Sequence, residues 1–405
     1  MATIAMPALR FSVRDRSESL RPLALAAPLL LLLFFSFGAP IVALLSRAVY
    51  EPTIANALPH TAEALRADGE AGVPGEPVFL ALSADLKKAQ AAGAVFELAK
   101  NLNTRLPGAR SQVLRAARLV SQDQAASKEA MIKSAPLLGE PQSWTAIRSG
   151  VHPFTSFFLL NAFDLKWTSD GTIGSVPPGQ AVFLRVFGRT FLVATLVTLA
   201  TLALGFPLAY LITHLRPATA AVVLVLVLLP FWTSILVRTA AWTVLLQKYG
   251  LLNDLLLWLG LTSDRLDLMY SRTGLIIAMT HIQLPFTLLP IYSVMRSVPP
   301  SLMRAAQSLG ARPLAAFWRV YLPQVTPGVL AGCLLTFILC LGYYITPVLI
   351  GGASDQLISN FIANYVNAEL NWEMAAALSF VLLASTLGLY VTMTRYLGLD
   401  LFKMG

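Results

Sequence analysis

Long apolar segments recur along this chain, and they constrain its fold more than any other feature. A helix that crosses a bilayer needs about 20 mostly apolar residues. Only 13% of the 405 residues are charged, whereas a soluble domain carries about 25%. We therefore predict an all-α integral membrane protein with six spans. The predicted spans are Leu23–Leu45, Thr190–Ile212, Ala218–Val237, Thr273–Met295, Gln324–Ala353 and Met374–Thr394.

The first apolar segment follows Arg10, Arg14, Arg16 and Arg21, a pattern that also precedes the core of a cleaved signal peptide. Its apolar run is longer than the roughly 7–15 residues of such a core, which favours a retained anchor helix. Helix-breaking residues such as Pro230 lie inside later spans. Neighbouring helices or a cavity can satisfy the backbone groups that they leave unpaired.

The distribution of Lys and Arg in the short segments predicts the orientation. With the N-terminus inside, eleven basic residues face the cytoplasm and three face outward. Both termini are then cytoplasmic. The inner set is Arg10, Arg14, Arg16, Arg21, Arg216, Arg296, Arg304, Arg312, Arg319, Arg395 and Lys403, and the outer set is Lys248, Arg265 and Arg272.

A large polar segment separates the first two spans and divides the chain into parts. Long loops are translocated largely regardless of their charge, so we place this segment outside. The predicted parts are a cytoplasmic N-terminal segment (1–22), an anchor helix (23–46), an extracytoplasmic insertion (47–185), a five-span core (186–398) and a cytoplasmic tail (399–405).

The insertion contains helix-favouring runs at Leu82–Leu106 and Ala109–Ser134, where apolar residues recur at helical spacing. Pro and Gly cluster near Gly69–Pro77 and Leu137–Pro141, which marks linkers. We predict a small helical outer domain. It either grips a protein that delivers substrate or decorates the loop without a role of its own.

Several kinds of chemistry lack their sequence signatures. The chain has no Gly-x-x-x-x-Gly-Lys-Ser/Thr loop, no Gly-x-Ser-x-Gly elbow and no His-Glu-x-x-His spacing. We expect no catalytic residue, metal or cofactor of its own and no ATP hydrolysis. The net charge of +9 reflects topology rather than nucleic-acid binding. Cys333 and Cys340 lie two helical turns apart, too far for a disulfide.

Residues 299–323 form a positively charged amphipathic segment between two predicted spans. A helix is predicted over Ser301–Ala316, with its first serine as N-cap. Ala305 and Ala306 give it a small-residue face, and Gly310 breaks the helix or allows a turn. Spacing alone leaves two readings open: a helix that docks a partner, and a helix lying on the membrane surface.

This segment resembles the coupling segment of ABC-importer permeases. That segment usually reads Glu-Ala-Ala, three residues, Gly, and later Leu-Pro. The matching residues here are Ala305, Ala306, Gly310, Leu322 and Pro323, whereas Arg304 stands at the position of the usual Glu.

A second region narrows the resemblance to the first permease subunit of spermidine/putrescine-type uptake systems. Leu229–Trp242, together with Gly250–Asn253, is similar to that group, and so are Tyr343–Gly352 and Asn371–Ala377. The resemblance covers the anchor and roughly residues 187–405. The outer insertion is not part of the usual pattern.

The resemblance implies a six-span type I ABC importer permease in a bacterial inner membrane. Its partners would be a cytoplasmic ATPase dimer that binds ATP and Mg, a second homologous permease subunit and an extracytoplasmic substrate-binding protein. Closure of the ATPase would drive alternating access through the docked segment. Arg304 would repel the basic ATPase residue that usually meets Glu. Either the ATPase supplies an acid, or Arg304 turns away and the Ala/Gly face docks, which we favour.

The resemblance also implies a cargo of putrescine- or spermidine-like cations. Acidic residues after the fifth span would attract a cation, and aromatic residues would cage an ammonium group or anchor the helices at the interface. Arg238 would instead bind an anion or snorkel. The candidate path residues are Trp232, Arg238, Trp242, Tyr343, Tyr344, Asp355, Glu369 and Glu373.

Two alternatives remain at this point. One is the same importer class with opines, amino-acid derivatives or phosphonates as cargo. The other is an ion-coupled secondary transporter, which predicts inverted repeats and ionisable residues at mid-membrane.

Overall fold

The computed structural model describes residues 25–69, 72–122, 127–168 and 172–396. The predicted segments 1–22 and 399–405 and the first two residues of the predicted first span lie outside these ranges. Within them the strands are β1 (Leu165–Trp167) and β2 (Ile173–Ser175), which pair antiparallel. All other long elements in these ranges are helices.

The helices are labelled in chain order. They are α1 (Leu25–Ser46), α2 (Thr53–Ala57), α3 (Pro59–Asp68), α4 (Glu76–Ala91), α5 (Val95–Arg105), α6 (Ala109–Ser121), α7 (Lys128–Ser134), α8 (Pro141–Gly150), α9 (Phe157–Ala162), α10 (Phe183–His214), α11 (Pro217–Leu228), α12 (Ile235–Leu245), α13 (Leu251–Trp258), α14 (Arg272–Ser297), α15 (Pro300–Ser308), α16 (Pro313–Gly342), α17 (Ile345–Ile350), α18 (Ile358–Asn367) and α19 (Trp372–Tyr396).

Among the described residues, five helices are long and apolar enough to cross a membrane: α1, α10, α14, α16 and α19. The predicted span Ala218–Val237 is not one straight helix. It turns by 101° between a 3₁₀ turn that ends at Trp232 and α12. Pro230 lacks a backbone N–H, and the Ser234 hydroxyl accepts from Leu236 N to start the new helix. Only if this bent pair counts as one span does the number reach six.

The predicted bounds of the fifth span, Gln324–Ala353, are wrong. Helix α16 begins at Pro313 and ends at Gly342, and Tyr343 is extended before the short α17. The Ser359 hydroxyl donates to the Tyr343 carbonyl at 2.7 Å. This bond satisfies an acceptor that the break in the helix leaves without its helical partner. Hydropathy does not register this break because both sides of it are apolar.

Helices α10, α14 and α16 form the centre of the bundle. A Cβ atom on Gly332 would lie 2.6 Å from the Thr287 carbonyl oxygen, so α16 and α14 approach closely there. The Thr287 hydroxyl also donates to Thr201 at 2.8 Å and lies 2.6 Å from the Thr336 hydroxyl. Buried threonines therefore connect all three helices.

Helices α2 to α8, within residues 47–185, surround a hydrophobic core of their own. Phe79 and Trp144 meet edge to face at its centre, with ring centroids 5.0 Å apart. The predicted run Leu82–Leu106 is broken at Gly93, whose φ is +71°. The run Ala109–Ser134 contains α6 and α7, and its residues 123–126 lie outside the described ranges.

Polar contacts that the sequence did not indicate hold the insertion together and join it to the bundle. Arg105 donates to Glu51 at 3.2 Å, and both side chains are almost fully buried. Burial lowers the pKa of the Arg105 guanidinium, and the Glu51 carboxylate opposes that shift. The Asp164 carboxylate accepts three backbone N–H bonds at the start of α10, and Lys100 donates to the Leu370 carbonyl at 3.0 Å.

Candidate functional site

The predicted coupling helix is present but shorter than expected. Helix α15 runs from Pro300 to Ser308, so the predicted extension to Ala316 is wrong. Ser301 is not the N-cap, because the helix begins one residue earlier and Pro299 holds that position. Proline suits the first helical position, since its φ is preset and the missing N–H has no helical partner there.

Gly310 ends α15, as predicted. Its φ is +91°, in the left-handed region that favours glycine. Gly310 N donates to the Gln307 carbonyl at 2.9 Å, and Ala311 N donates to the Ala306 carbonyl at 3.0 Å. This pair of bonds is a Schellman motif. It turns the chain so that α16 can start at Pro313.

Most of the surface of α15 is uncovered, since the helix contains no buried residue and Met303 is only partly buried against the bundle. Arg304 and Ala305 are exposed, Ala306 is half-buried, and Leu309 just beyond the helix is 89% exposed. Leu314 follows at 71% exposed. An apolar surface of this kind at the end of a bundle is typical of an interaction site.

Leu322 and Pro323 lie inside α16 rather than in a loop. Pro323 has no N–H for the Arg319 carbonyl, and the helix takes a π turn at Phe317–Tyr321. Leu322 N closes that turn by donating to the Phe317 carbonyl. The Leu-Pro pair thus marks an irregular helical turn next to α15.

Two of the predicted path residues, Trp242 and Arg238, lie near His281, and a third, Tyr343, lies near Arg238. Trp242 Nε1 donates to His281 Nδ1 at 3.2 Å, and the two rings are 5.3 Å apart. Arg238 and Tyr343 lie within electrostatic range of one another, and Arg238 also acts on His281. We call Arg238, Trp242, His281 and Tyr343 the Arg238 cluster. The turn before α12 positions it, and the Thr239–Thr346 contact at 3.2 Å holds α12 against α17.

The Arg238 guanidinium is only partly satisfied. One of its terminal nitrogens donates to the Thr233 carbonyl at 3.2 Å. Its Nε is buried and has no hydrogen-bond partner among the described residues, and Arg238 forms no ion pair with any carboxylate in the described ranges. The cluster therefore presents a positive charge and Arg238 N–H donors that have no partner among the described residues.

The other predicted aromatic residues do not join the cluster. Trp232 is 71% exposed at the end of its 3₁₀ turn, and Tyr344 is 43% exposed at the start of α17. Neither ring contacts another aromatic ring in the described part of the chain. The four-residue aromatic cage stays a prediction.

The three predicted carboxylates do not form an unpaired acidic patch. Asp355 is buried and accepts from Arg272 Nε at 2.8 Å. Glu373 lies 3.6 Å from Arg47, and Glu369 accepts from the amide of Asn364 at 2.8 Å. Counting charges within one loop missed these partners, because two of them lie far away in sequence.

Sequence reasoning also missed polar groups inside the spans. Both amide atoms of the buried Gln283 and the hydroxyl of Thr280 lack hydrogen-bond partners among the described residues. The sequence pattern that could have identified them is a polar side chain within an apolar helix, because such residues mark functional positions in membranes. No group of three or more metal-ligating side chains occurs within the described ranges.

About half of this chain is similar to known transport proteins. A family model for the binding-protein-dependent transport system inner membrane component matches residues 202–397. The spermidine/putrescine transport system permease protein PotB of Escherichia coli (strain K12) is 35% identical over 202 residues, 50% of this chain and 73% of that protein. The inner membrane ABC transporter permease protein YdcU of the same strain is 33% identical over 258 residues, 60% and 81% of the two chains. A solved bacterial ABC transporter involved in the import of the acidic polysaccharide alginate matches with TM-score 0.44 and 21% identity, over 53% of this chain and 79% of that chain.

Proposed function

This chain belongs to the family of binding-protein-dependent transport system inner membrane components, and we propose that it forms the translocation path for putrescine- or spermidine-like cations. It is a permease subunit of an ABC importer. The 35% identity to PotB over 73% of that protein carries the proposal on cargo. Alternating access, driven by a separate ATPase subunit, is the proposed mechanism.

The exposed surface of α15 supports a docking role for this helix. A cytoplasmic ATPase dimer that binds ATP and Mg would cover Ala305, Ala306 and Leu309, and its closure would move α14 and α16 on either side. Arg304 points its charge into solvent, so docking through the small and apolar residues does not require the usual Glu. The proposed interface thus rests on packing rather than on an ion pair.

Two further partners follow from the same proposal. Helix α1 buries none of its apolar window within the chain, so it lies against lipid or a second permease subunit. An extracytoplasmic substrate-binding protein would dock on the outer side. The insertion is a candidate for that contact, because Lys100 links it to the loop before α19. Motion of the insertion would then reach a span directly.

One observation favours a different cargo. Arg238 has an unpartnered Nε and no described carboxylate within ion-pair distance. Such a group repels a polyamine but binds a carboxylate or phosphonate through paired N–H bonds. The second candidate function is therefore the same importer class with opines, amino-acid derivatives or phosphonates as cargo.

Uptake measurements with the complete importer distinguish the two cargoes. The proposal predicts ATP-dependent uptake of labelled putrescine and spermidine, with uptake unchanged or raised in Arg238→Gln. An acidic cargo predicts a fall of about tenfold or more in that variant, since a charge-assisted hydrogen bond contributes about 1.5–3 kcal/mol. Arg185→Gln is the matched control, because Arg185 is exposed at the start of α10. Uptake of acids without uptake of polyamines would sink the polyamine proposal.

A separate experiment tests the docking role. Gly310→Trp should block ATP-driven uptake while the subunits still assemble. A residue other than glycine is strained at a φ of +91°, and the large side chain also disturbs the end of α15. Gly179→Trp is the control, since Gly179 has a normal φ and open space around it. Normal uptake by Gly310→Trp contradicts docking through α15. Uptake by this chain without any ATPase contradicts the importer mechanism itself.

A further inference from the structure

A pocket of about 340 Å³ lies at the end of the bundle that carries α15. Its walls come from the last turn of α10, the end of α14, the start of α15 and the π turn in α16. The side chains that line it include Tyr210, Thr213, His214, Arg296, Met303 and Tyr321. The pocket is distinct from the Arg238 cluster, which shares no residue with it.

The polar lining of the pocket suits an anion. Arg296 provides a full positive charge, and none of the lining residues is Asp or Glu. One Arg296 nitrogen donates to the Tyr292 hydroxyl at 2.9 Å, which leaves its other N–H groups for a ligand. Among the described residues no carboxylate forms an ion pair with Arg296. A bound anion would meet a cation that nothing in the described chain neutralises.

His214 and Tyr210 form a second part of the pocket wall. His214 Nδ1 donates to the Tyr210 carbonyl at 2.8 Å, and the two rings are 4.4 Å apart. This bond fixes the imidazole at the pocket wall and places the proton on Nδ1 in the neutral ring. The Thr213 hydroxyl lies next to it, 3.1 Å from His214 Nδ1.

The depth of Arg296 in the membrane indicates which anion the pocket meets. Helix α14 has 26 residues, a length of about 39 Å at 1.5 Å per residue. The hydrocarbon core is only about 30 Å thick. Arg296, next to the last residue of α14, therefore reaches the headgroup region, where lipid phosphates concentrate and basic side chains attract them.

We propose that this pocket binds a phosphate group, carried by an anionic phospholipid headgroup or present as free inorganic phosphate. The planar Arg fork matches phosphate oxygens, and the pocket volume falls in the range of small-ligand sites. Pro299, Pro300 and Met303 of the α15 segment line the same pocket. A bound phosphate would thus fix the base of α15 against the bundle and bias its movement. This role is separate from cargo recognition.

Ligand retention by the purified full-length chain tests the site. Native mass spectrometry measures the dissociation constants of phosphatidylglycerol, of dioleoylglycerol, which has no phosphate, and of inorganic phosphate. We expect phosphate-bearing probes to bind, and Arg296→Gln to weaken them about tenfold or more. Arg319→Gln is the matched control, because Arg319 is exposed near the same end of the bundle but does not line the pocket.

The outcomes separate the two sources. Phosphatidylglycerol binding that depends on Arg296 assigns the site to a lipid, whereas Arg296-dependent binding of inorganic phosphate alone assigns it to a soluble ion. Equal retention of phosphatidylglycerol and dioleoylglycerol, equal effects of the two Arg variants, or no binding of any phosphate probe overturns the proposal. If Arg296→Gln does not fold, Met303→Trp fills the pocket from the α15 side and must abolish the same binding.

Discussion

Trp242 donates its indole N–H to Nδ1 of His281 at 3.2 Å. Trp242 lies on α12, beyond the 101° turn, and His281 lies on the continuous helix α14. Because indole is only a donor, His281 must accept through an Nδ1 that carries no proton. The bond therefore holds the broken helix against the bundle and orients the wall of the Arg238 cluster.

Removing this donor should loosen the contact. Trp242→Phe keeps a ring in place but loses the hydrogen bond to His281, which contributes about 1 kcal/mol. We expect the thermal midpoint of the purified chain to fall by about 1–4 °C. A thermal-shift assay that does not depend on tryptophan fluorescence measures this fall. Trp232→Phe should have no effect, since Trp232 is 71% exposed. Equal falls in both variants would show that the bond to His281 is not what stabilises α12.

The close approach of Gly332 to Thr287 predicts a steric effect at the centre of the bundle. Gly332→Ala would bring a Cβ to 2.6 Å from a backbone oxygen, which a side-chain movement cannot relieve. Overpacking of this kind costs about 1–3 kcal/mol. The expected result is a lower thermal midpoint and less monodisperse protein. Gly342→Ala in the same helix meets nothing within 4 Å and should behave like the parent chain.

The buried pair of Arg105 and Glu51 predicts an asymmetric mutational response. Arg105→Met leaves the Glu51 carboxylate buried without its cation, which costs about 3–5 kcal/mol. The paired change Arg105→Met with Glu51→Met should recover most of that loss, because no isolated charge remains. Limited proteolysis of the insertion measures both. Arg110→Met, at an exposed position, is the control, and a double variant as sensitive as the single one would contradict the prediction.

The surface of α15 predicts which residues matter for coupling. Arg304→Ala should keep ATP-driven uptake within about twofold, because an exposed charge contributes little to an interface. Leu309→Asp should lower uptake about tenfold or more, since covering an apolar side chain contributes about 1.5–3 kcal/mol. Initial uptake rates at equal membrane abundance measure the difference. Strong loss in Arg304→Ala with normal uptake in Leu309→Asp would show that docking depends on the charge.

The membrane class and the family could be predicted from the sequence because both depend on local patterns. The confirmed resemblance rests on short motifs around Arg304–Pro323 and Leu229–Trp242. Gly310 was predicted to end its helix, and it does so because few other residues adopt a φ of +91°. The exact bounds of α15 were not predictable in the same way, since Pro300 and Ser301 compete for the helix start.

The sequence by itself determined the apolar helices, the family and the amphipathic segment, because hydropathy and turn-forming residues act within a few positions. Only the tertiary structure decided the pairing of charges and the shape of the path. Asp355 meets Arg272, and Trp242 meets His281, across dozens of intervening residues. Such contacts depend on how helices pack in three dimensions. Packing placed two of the three predicted carboxylates, Asp355 and Glu373, in ion pairs and left Arg238 as the charge in the cluster.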